Sequence, residues 1–294
     1  MAELVAVSSS TDPRVDDFRD LTRADRRPDR PGGRGLVIAE GTVVIRRLLA
    51  SPYPPRALLG VPDRIDDLAA DLAGVDVPAY VTDAGTMAEV VGFHLNRGVL
   101  AVADRATPPS PEALAERGGR VAVLEGVGDH ENLGALFRNA AALGVTGVLL
   151  GPGCSDPLYR RSVRVSMGHV LLVPFTRLPH WPGGLDVLRE RGFRIAALTP
   201  AACAVDIGDF LDHGDPGDRV AVLLGSEGHG LSAEAIGAAD AAVRIPMLGD
   251  VDSLNIATAG AIAFYELTRD DCAAGATVNA GRGNGVAGVG DRVE

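Results

Sequence analysis

Three short segments place polar side chains and glycines just after apolar, strand-like runs. The first, Glu125 to Ala140, carries Asn132, Gly134 and Arg138. The second, Leu224 to Leu231, carries Gly225, Glu227, Gly228 and Gly230. The third, Ile245 to Asn255, carries Met247, Asp252, Ser253, Leu254 and Asn255. In a parallel sheet the loops after the strands line the ligand crevice, so three such loops in order predict one composite site. Glycines let backbone approach a bound group closely. A guanidinium holds phosphate or developing negative charge, and amide or hydroxyl side chains orient a substrate. The glycine order is not the G-x-G-x-x-G of dinucleotide sites, and no Lys follows as a Walker loop demands. That counts against a nucleotide-dependent oxidoreductase on a doubly wound sheet.

Local patterns position these residues. Leu133, Leu136, Phe137, Ala140 and Leu143 recur at helical spacing, with Gly144 where a C-terminal cap belongs and Asn132 at the expected N-cap. Arg138 lies off that apolar stripe. Helical side chains lean toward the N-terminus, so its guanidinium is expected to pass over the small Gly134 and Ala135 to the loop mouth. Val220–Leu224 reads as an apolar strand feeding the glycine loop, in which His229 reads as a turn residue. Ala242–Ile245 reads as a strand ending at Pro246. Asp252 or Ser253 can cap a helix over Leu254–Leu267, whose Ala257, Ala259, Gly260, Ala261 and Ala263 permit close approach by another backbone. Taken singly, each feature also has a plain structural reading: a surface arginine, a cap, a tight turn.

The surrounding pattern alternates strand and helix, which means a largely parallel sheet covered on both faces. In the first part, strands are expected at Leu36–Ala39, Arg56–Gly60, Val77–Val81 and Val99–Ala103, and helices at Gly41–Leu49, Ile65–Leu72 and Thr86–Val91. Residues 1–35 are polar, with weak periodicity. Three prolines, Pro108, Pro109 and Pro111, then break the pattern. The division follows: residues 1–106 an N-terminal domain with its polar leading segment, 107–119 a linker, 120–270 a second α/β domain, and 271–294 a disordered tail, glycine-rich from Ala273 on. The second domain is expected to have strands at Arg120–Leu124, Gly147–Leu150, Val170–Pro174, Arg194–Leu198, Val220–Leu224 and Ala242–Ile245.

Bulk composition narrows the class. With 294 residues the chain can bury a sizeable core, and a hydrophobic share of 46% fits a soluble globular protein. No apolar run reaches the roughly 18 residues of a membrane helix, and no secretory signal is visible, so a cytoplasmic protein is expected. The three cysteines, Cys154, Cys203 and Cys272, have no metal-like spacing and read as reduced thiols. Net charge of −11 counts mildly against nucleic acid as partner. Local charge differs: Pro157 to Arg177 contains no acid but holds Arg160, Arg161, Arg164 and Arg177. Every cationic residue is Arg rather than Lys, a bias that makes arginine abundance alone no sign of phosphate binding.

Together the three segments resemble the SpoU/TrmH family of S-adenosylmethionine-dependent RNA 2′-O-ribose methyltransferases, within the SPOUT superfamily. Asn132, Gly134 and Arg138 match its first motif, Gly225 to Leu231 its second, and Ile245 to Asn255 its third. Asp156-Pro157 and Arg164 to Gly168 also look like the family, and the match spans about residues 120–268. Two departures, Asn139 where Thr is common and Ile256-Ala257-Thr258 after Asn255, remove no group the chemistry needs. Residues 36–104 resemble the L30e-like RNA-binding domain found before many such catalytic domains. The resemblance implies a parallel sheet with a deep trefoil knot, a homodimer, and RNA as substrate, ribosomal RNA before transfer RNA. It further implies S-adenosylmethionine held by Gly225, Ile245, Met247, Ser253 and Leu254, with no metal. Arg138 is implied as the catalytic residue, either holding the phosphate and stabilising the alkoxide or acting as general base. Asn132, Glu227, Ser253 and Asn255 would position the reactants. A non-catalytic RNA-binding or ribosome-assembly protein on the same fold is the alternative.

Overall fold

A computed structural model describes residues 2–21, 25, 33–214, 219–248 and 251–280, with side chains described through residue 269. Apolar β-rich runs form two sheets. The first contains β1 (Glu3–Ala6), β2 (Val37–Glu40), β3 (Pro55–Gly60), β4 (Pro78–Val81) and β5 (Val99–Ala103). Its order is β1-β4-β3-β5-β2. The β1–β4 and β4–β3 pairs are parallel, whereas β5 is antiparallel to both neighbours.

The second sheet contains β6 (Arg120–Leu124), β7 (Gly147–Leu150), β8 (Phe175–Arg177), β9 (Phe193–Leu198), β10 (Val205–Asp206), β11 (Arg219–Leu224) and β12 (Ala241–Arg244). Its order is β10-β12-β9-β11-β6-β7-β8, with every pair parallel. Its central strands are buried on both faces, as a helix-covered parallel sheet requires. One apolar core runs through both units, joining Val44, Ile45 and Leu48 of the helix Thr42–Leu49 to Val163, Val170 and Leu133 of the second unit.

Several expectations are corrected. The leading segment is not featureless: β1 joins the sheet edge, and a 3-10 turn at Pro13–Phe18 buries Val15 and Phe18. The helix expected at Ile65–Leu72 is two shorter ones, Pro62–Asp66 and Ala69–Leu72, broken at Leu68. The proline-rich linker contains a helix, Pro111–Glu116, started by Pro111 at its first turn and capped by the Ser110 hydroxyl. Its Leu114 and Ala115 are fully buried in one cluster with Val121 and Val123 of β6 and Leu149 of β7. No strand forms over Val170–Pro174. That apolar run is a 3-10 turn at His169–Leu171 packed into the core, and the strand follows at Phe175–Arg177. The final helix spans Ile256–Ala280, past the composition boundary at Ala273, because Ala-rich sequence has strong helix propensity. Residues 281–294 of the expected tail lie outside the described residues, as does the side chain of Cys272. Cys154 and Cys203 are unpaired. No helix among the described residues is long and apolar enough to cross a membrane.

Gly134 shows how tightly the Arg138 helix, His130–Ala142, packs on the helix Arg160–Val165. A Cβ added at Gly134 would lie 2.8 Å from the Ser162 carbonyl oxygen and 2.9 Å from Val165 Cβ. Its smallness therefore serves helix packing. Alanine has the better helix propensity by about 1 kcal/mol, yet overpacking against a backbone carbonyl costs about 1–3 kcal/mol. Gly134→Ala is expected to be destabilising on balance, read as a fall in the urea midpoint at unchanged m-value.

Candidate active site

The loops after β9, β11 and β12 enclose one cavity of about 500 Å³ at the carboxyl ends of the parallel strands. That is the ligand position expected for an open α/β sheet, and the volume suits a cofactor-sized molecule. Gly225, Glu227, Ile245, Met247, Ser253, Leu254 and Asn255 all line it. Thr199 and Pro200, after β9, line it as well and were not singled out in the sequence. They follow an apolar strand in the same way as the three motifs, so strand-end position was the available signal.

The glycine loop is shaped by contact with itself. The Gly230 amide donates to the Ser226 carbonyl at 2.9 Å, and the two residues form an isolated antiparallel bridge. Gly225 lies against the returning strand of this loop: an added Cβ would fall inside the van der Waals radii of the Gly230 carbonyl carbon and the Leu231 nitrogen. Gly228 and Gly230 have φ of +87° and +67°, a region costly for any residue with a Cβ.

Side chains from all three motifs meet at Asn255. Its Nδ2 donates to Asn132 Oδ1 at 2.9 Å and to Glu227 Oε1 at 2.5 Å. Its Oδ1 accepts from the amides of Ala257 and Thr258 at 3.0 and 3.2 Å. Asn255 is thus the N-cap of the final helix, and neither Asp252 nor Ser253 fills that place, because the helix begins two residues later than expected. The Ile256 amide reaches Glu227 Oε1 at 3.4 Å, so this carboxylate sits at the positive end of the helix. Asn139 Nδ2 donates to the Ala257 carbonyl at 2.9 Å, a second tie between the Arg138 helix and the final helix.

Asn132 is not the cap of its own helix. Asp129 is, accepting through Oδ1 from the Glu131 and Asn132 amides, both at 2.8 Å. Asp129 is the better placed of two residues with capping propensity, which frees the Asn132 amide group for Asn255. Gly144, with φ of +70°, ends the helix as expected. The Gly260 position in the final helix is filled from within the chain: Leu136 and Leu224 pack over it.

Arg138 is exposed and does not line the cavity of its own chain. It forms no ion pair among the described residues. It acts instead on His169, whose pKa is held below the usual histidine value by burial and by the Arg47 and Arg138 charges.

Glu125, which was not singled out, braces the residue that follows the glycine loop. This buried carboxylate at the end of β6 accepts from Trp181 Nε1 at 2.6 Å and from the Ser232 amide and hydroxyl, both at 2.8 Å. It ties the β6 end to the far side of the glycine loop. Among the described residues, no group of three or more His, Cys, Asp or Glu side chains is arranged to hold a metal ion.

A parallel sheet with a glycine-loop cavity at its carboxyl end, to which Asn132 is tied through Asn255, defines a class of cofactor-binding α/β proteins. The SpoU rRNA Methylase family model matches residues 119–265. An uncharacterised tRNA/rRNA methyltransferase of Mycobacterium tuberculosis is 54% identical over 266 residues, covering 90% of this chain and 91% of the relative. An AdoMet-bound rRNA methyltransferase from Sinorhizobium meliloti has a TM-score of 0.73 at 27% identity, covering 91% of this chain and 98% of that one. A solved RNA 2′-O ribose methyltransferase has a TM-score of 0.68 at 25% identity, covering 91% and 100%. The chain belongs to the SpoU rRNA methylase family and is an RNA methyltransferase of the SpoU/TrmH group.

Proposed function

We propose that this protein transfers a methyl group from S-adenosylmethionine to a ribose 2′-hydroxyl of structured RNA, ribosomal RNA in the first place and transfer RNA in the second. The carrying observation is the single cavity lined by Gly225, Ile245, Met247, Ser253 and Leu254, to which Asn132, Glu227 and Asn255 are joined by hydrogen bonds. The cavity fits the cofactor on three counts: its volume, a glycine loop too close-packed to admit a Cβ at Gly225, and main-chain groups from three loops. The likeness to the AdoMet-bound Sinorhizobium protein supports the same reading.

Bound S-adenosylmethionine supplies a methyl group already activated as a sulfonium. The chain's residues then have to align the attacking hydroxyl and assist loss of its proton. Gly225, Ile245 and Leu254 hold the cofactor through backbone groups. Asn132, Glu227 and Asn255 keep the loops in register, and the exposed Ser253 hydroxyl faces the substrate. A guanidinium stays protonated in proteins and is a poor proton acceptor. Arg138 therefore acts by holding the phosphate beside the target ribose and stabilising the developing alkoxide.

Because Arg138 lies outside its own cavity, it serves the cavity of a second copy in a homodimer. The exposed apolar side chains Leu248, Val251 and Tyr265, on the third loop and the final helix, support such a surface. The β11 and β12 loops would form the trefoil knot, and the first sheet would be the L30e-like RNA-binding domain.

Isothermal titration with S-adenosylmethionine, followed by mapping of ribose methylation in ribosomal and transfer RNA, tests the reading. Binding with 2′-O-methylation of ribosomal RNA is expected. A chain that binds no S-adenosylmethionine would be a non-catalytic RNA-binding protein, and a methylated base would refute the ribose assignment.

A further inference from the structure

The seam between the two units carries a concentration of positive charge that the cavity does not use. Gly168, with φ of +84°, brings the His169 turn so close to the helix Thr42–Leu49 that an added Cβ would lie 3.1 Å from Val44 and 3.4 Å from Arg47. The Arg47 guanidinium donates to the Met167 carbonyl, which holds it beside His169.

The helices packed on this turn differ in how their charges are met. Arg46 is neutralised by Asp71 at 2.8 Å, and Arg161 by Glu131 at 2.6 Å. The Arg160 guanidinium lies over the Phe93 ring, 5.0 Å from its centroid, and His130 packs on Tyr159. Arg47, Arg138 and Arg164 form no ion pair among the described residues. Burial, Arg47 and Arg138 all lower the pKa of His169, and no carboxylate opposes them. Like charges gathered without a counter-ion repel one another in the free protein. An incoming anion relieves that repulsion.

We propose that Arg47 and His169, together with Arg138, form a binding site for one phosphodiester of the substrate RNA at the seam between the two units. The inference rests on RNA being the substrate and deepens that reading. It gives the first unit a direct role: Arg47 fixes the RNA backbone relative to the residue proposed to act on the ribose. Arginine suits the task because its planar fork matches two phosphate oxygens. Imidazolium adds a further donor. A bound phosphate favours the protonated ring, so binding takes up a proton and affinity rises as pH falls.

The test uses the full-length protein and a fluorescently labelled, mixed-sequence RNA hairpin, with anisotropy followed against salt and pH. Arg47→Gln is expected to reduce the slope of log affinity against log salt by about 0.7 to 1, the loss of one phosphate contact, and His169→Gln to reduce it only at the low-pH end, where the ring is protonated. Arg47→Lys, which keeps the charge, should retain most of the slope. Wild-type affinity should rise as pH falls from the pKa of the phosphate-bound ring toward that of the free ring, which lies below the ordinary histidine value, and His169→Gln should flatten that rise. S-adenosylmethionine affinity should stay unchanged in every variant. Lower RNA affinity at an unchanged salt slope would mean that Arg47 only braces the seam, and would overturn the proposal. Unchanged affinity in both glutamine variants would overturn it too. A wild-type protein that binds neither RNA nor S-adenosylmethionine would instead refute the methyltransferase reading itself.

Discussion

Arg138→Ala is expected to lower methyl transfer a hundredfold or more, about 2.7 kcal/mol of transition-state stabilisation, while S-adenosylmethionine binding and thermal stability stay unchanged. The side chain is exposed, forms no ion pair among the described residues and does not line the cavity of its own chain. Its removal therefore disturbs neither the fold nor the cofactor pocket, and lost turnover reports on the RNA side of the reaction. Arg138→Lys should recover only part of the rate, since a single ammonium cannot replace the two-pronged contact with phosphate. Near-normal turnover in the alanine variant would remove Arg138 from the mechanism. Mixing separates the two places from which the residue can act. A chain with Arg138→Ala keeps an intact cavity, and a chain with a blocked glycine loop keeps an intact Arg138. If each arginine serves its partner's cavity, co-refolding the two inactive variants restores activity in mixed dimers. If it serves its own, each mixed dimer has no complete site and activity stays absent.

Much of the catalytic sheet was legible because its strands are buried on both faces. Continuous apolar runs such as Arg120–Leu124, Gly147–Leu150 and Val220–Leu224 admit one reading. The same reasoning failed at Val170–Pro174, where an equally apolar run packs as a 3-10 turn after Gly168. Apolarity reports burial, and only length and flanking residues separate strand from turn. β1 escaped notice for another reason: it is a four-residue edge strand, Glu3–Ala6, whose short apolar run stands alone in a polar leading segment and has three exposed positions of four. At the site, the second and third motifs line the cavity whereas the first does not, and two capping roles were misplaced. Asp129 and Asn255 cap the helices for which Asn132 and Asp252 or Ser253 were expected. Caps depend on where a helix turns inward, which differs by a residue or two from where its apolar stripe begins. The Asn255–Asn132 and Asn255–Glu227 bonds join residues 123 and 28 positions apart, and no local pattern contains them.

Gly225→Ala should abolish detectable S-adenosylmethionine binding, with a loss of at least about a hundredfold in affinity, and lower stability by about 1–3 kcal/mol. The atoms an added methyl group would strike belong to the backbone of Gly230 and Leu231, so no rotamer change can absorb the clash. The loop must open, and opening it breaks the Ser226–Gly230 bridge and moves the main-chain groups that line the cavity. Gly228 provides the internal control. Its φ of +87° makes alanine there strained, but open space surrounds the position. Gly228→Ala should cost about 1–2 kcal/mol of torsional energy and leave the cavity wall in place, with cofactor affinity reduced far less. Titration calorimetry and thermal unfolding on the two variants separate crowding from torsion. Equal affinity losses at Gly225 and Gly228 would mean that loop flexibility, and not the close crossing at Gly225, shapes the cofactor pocket.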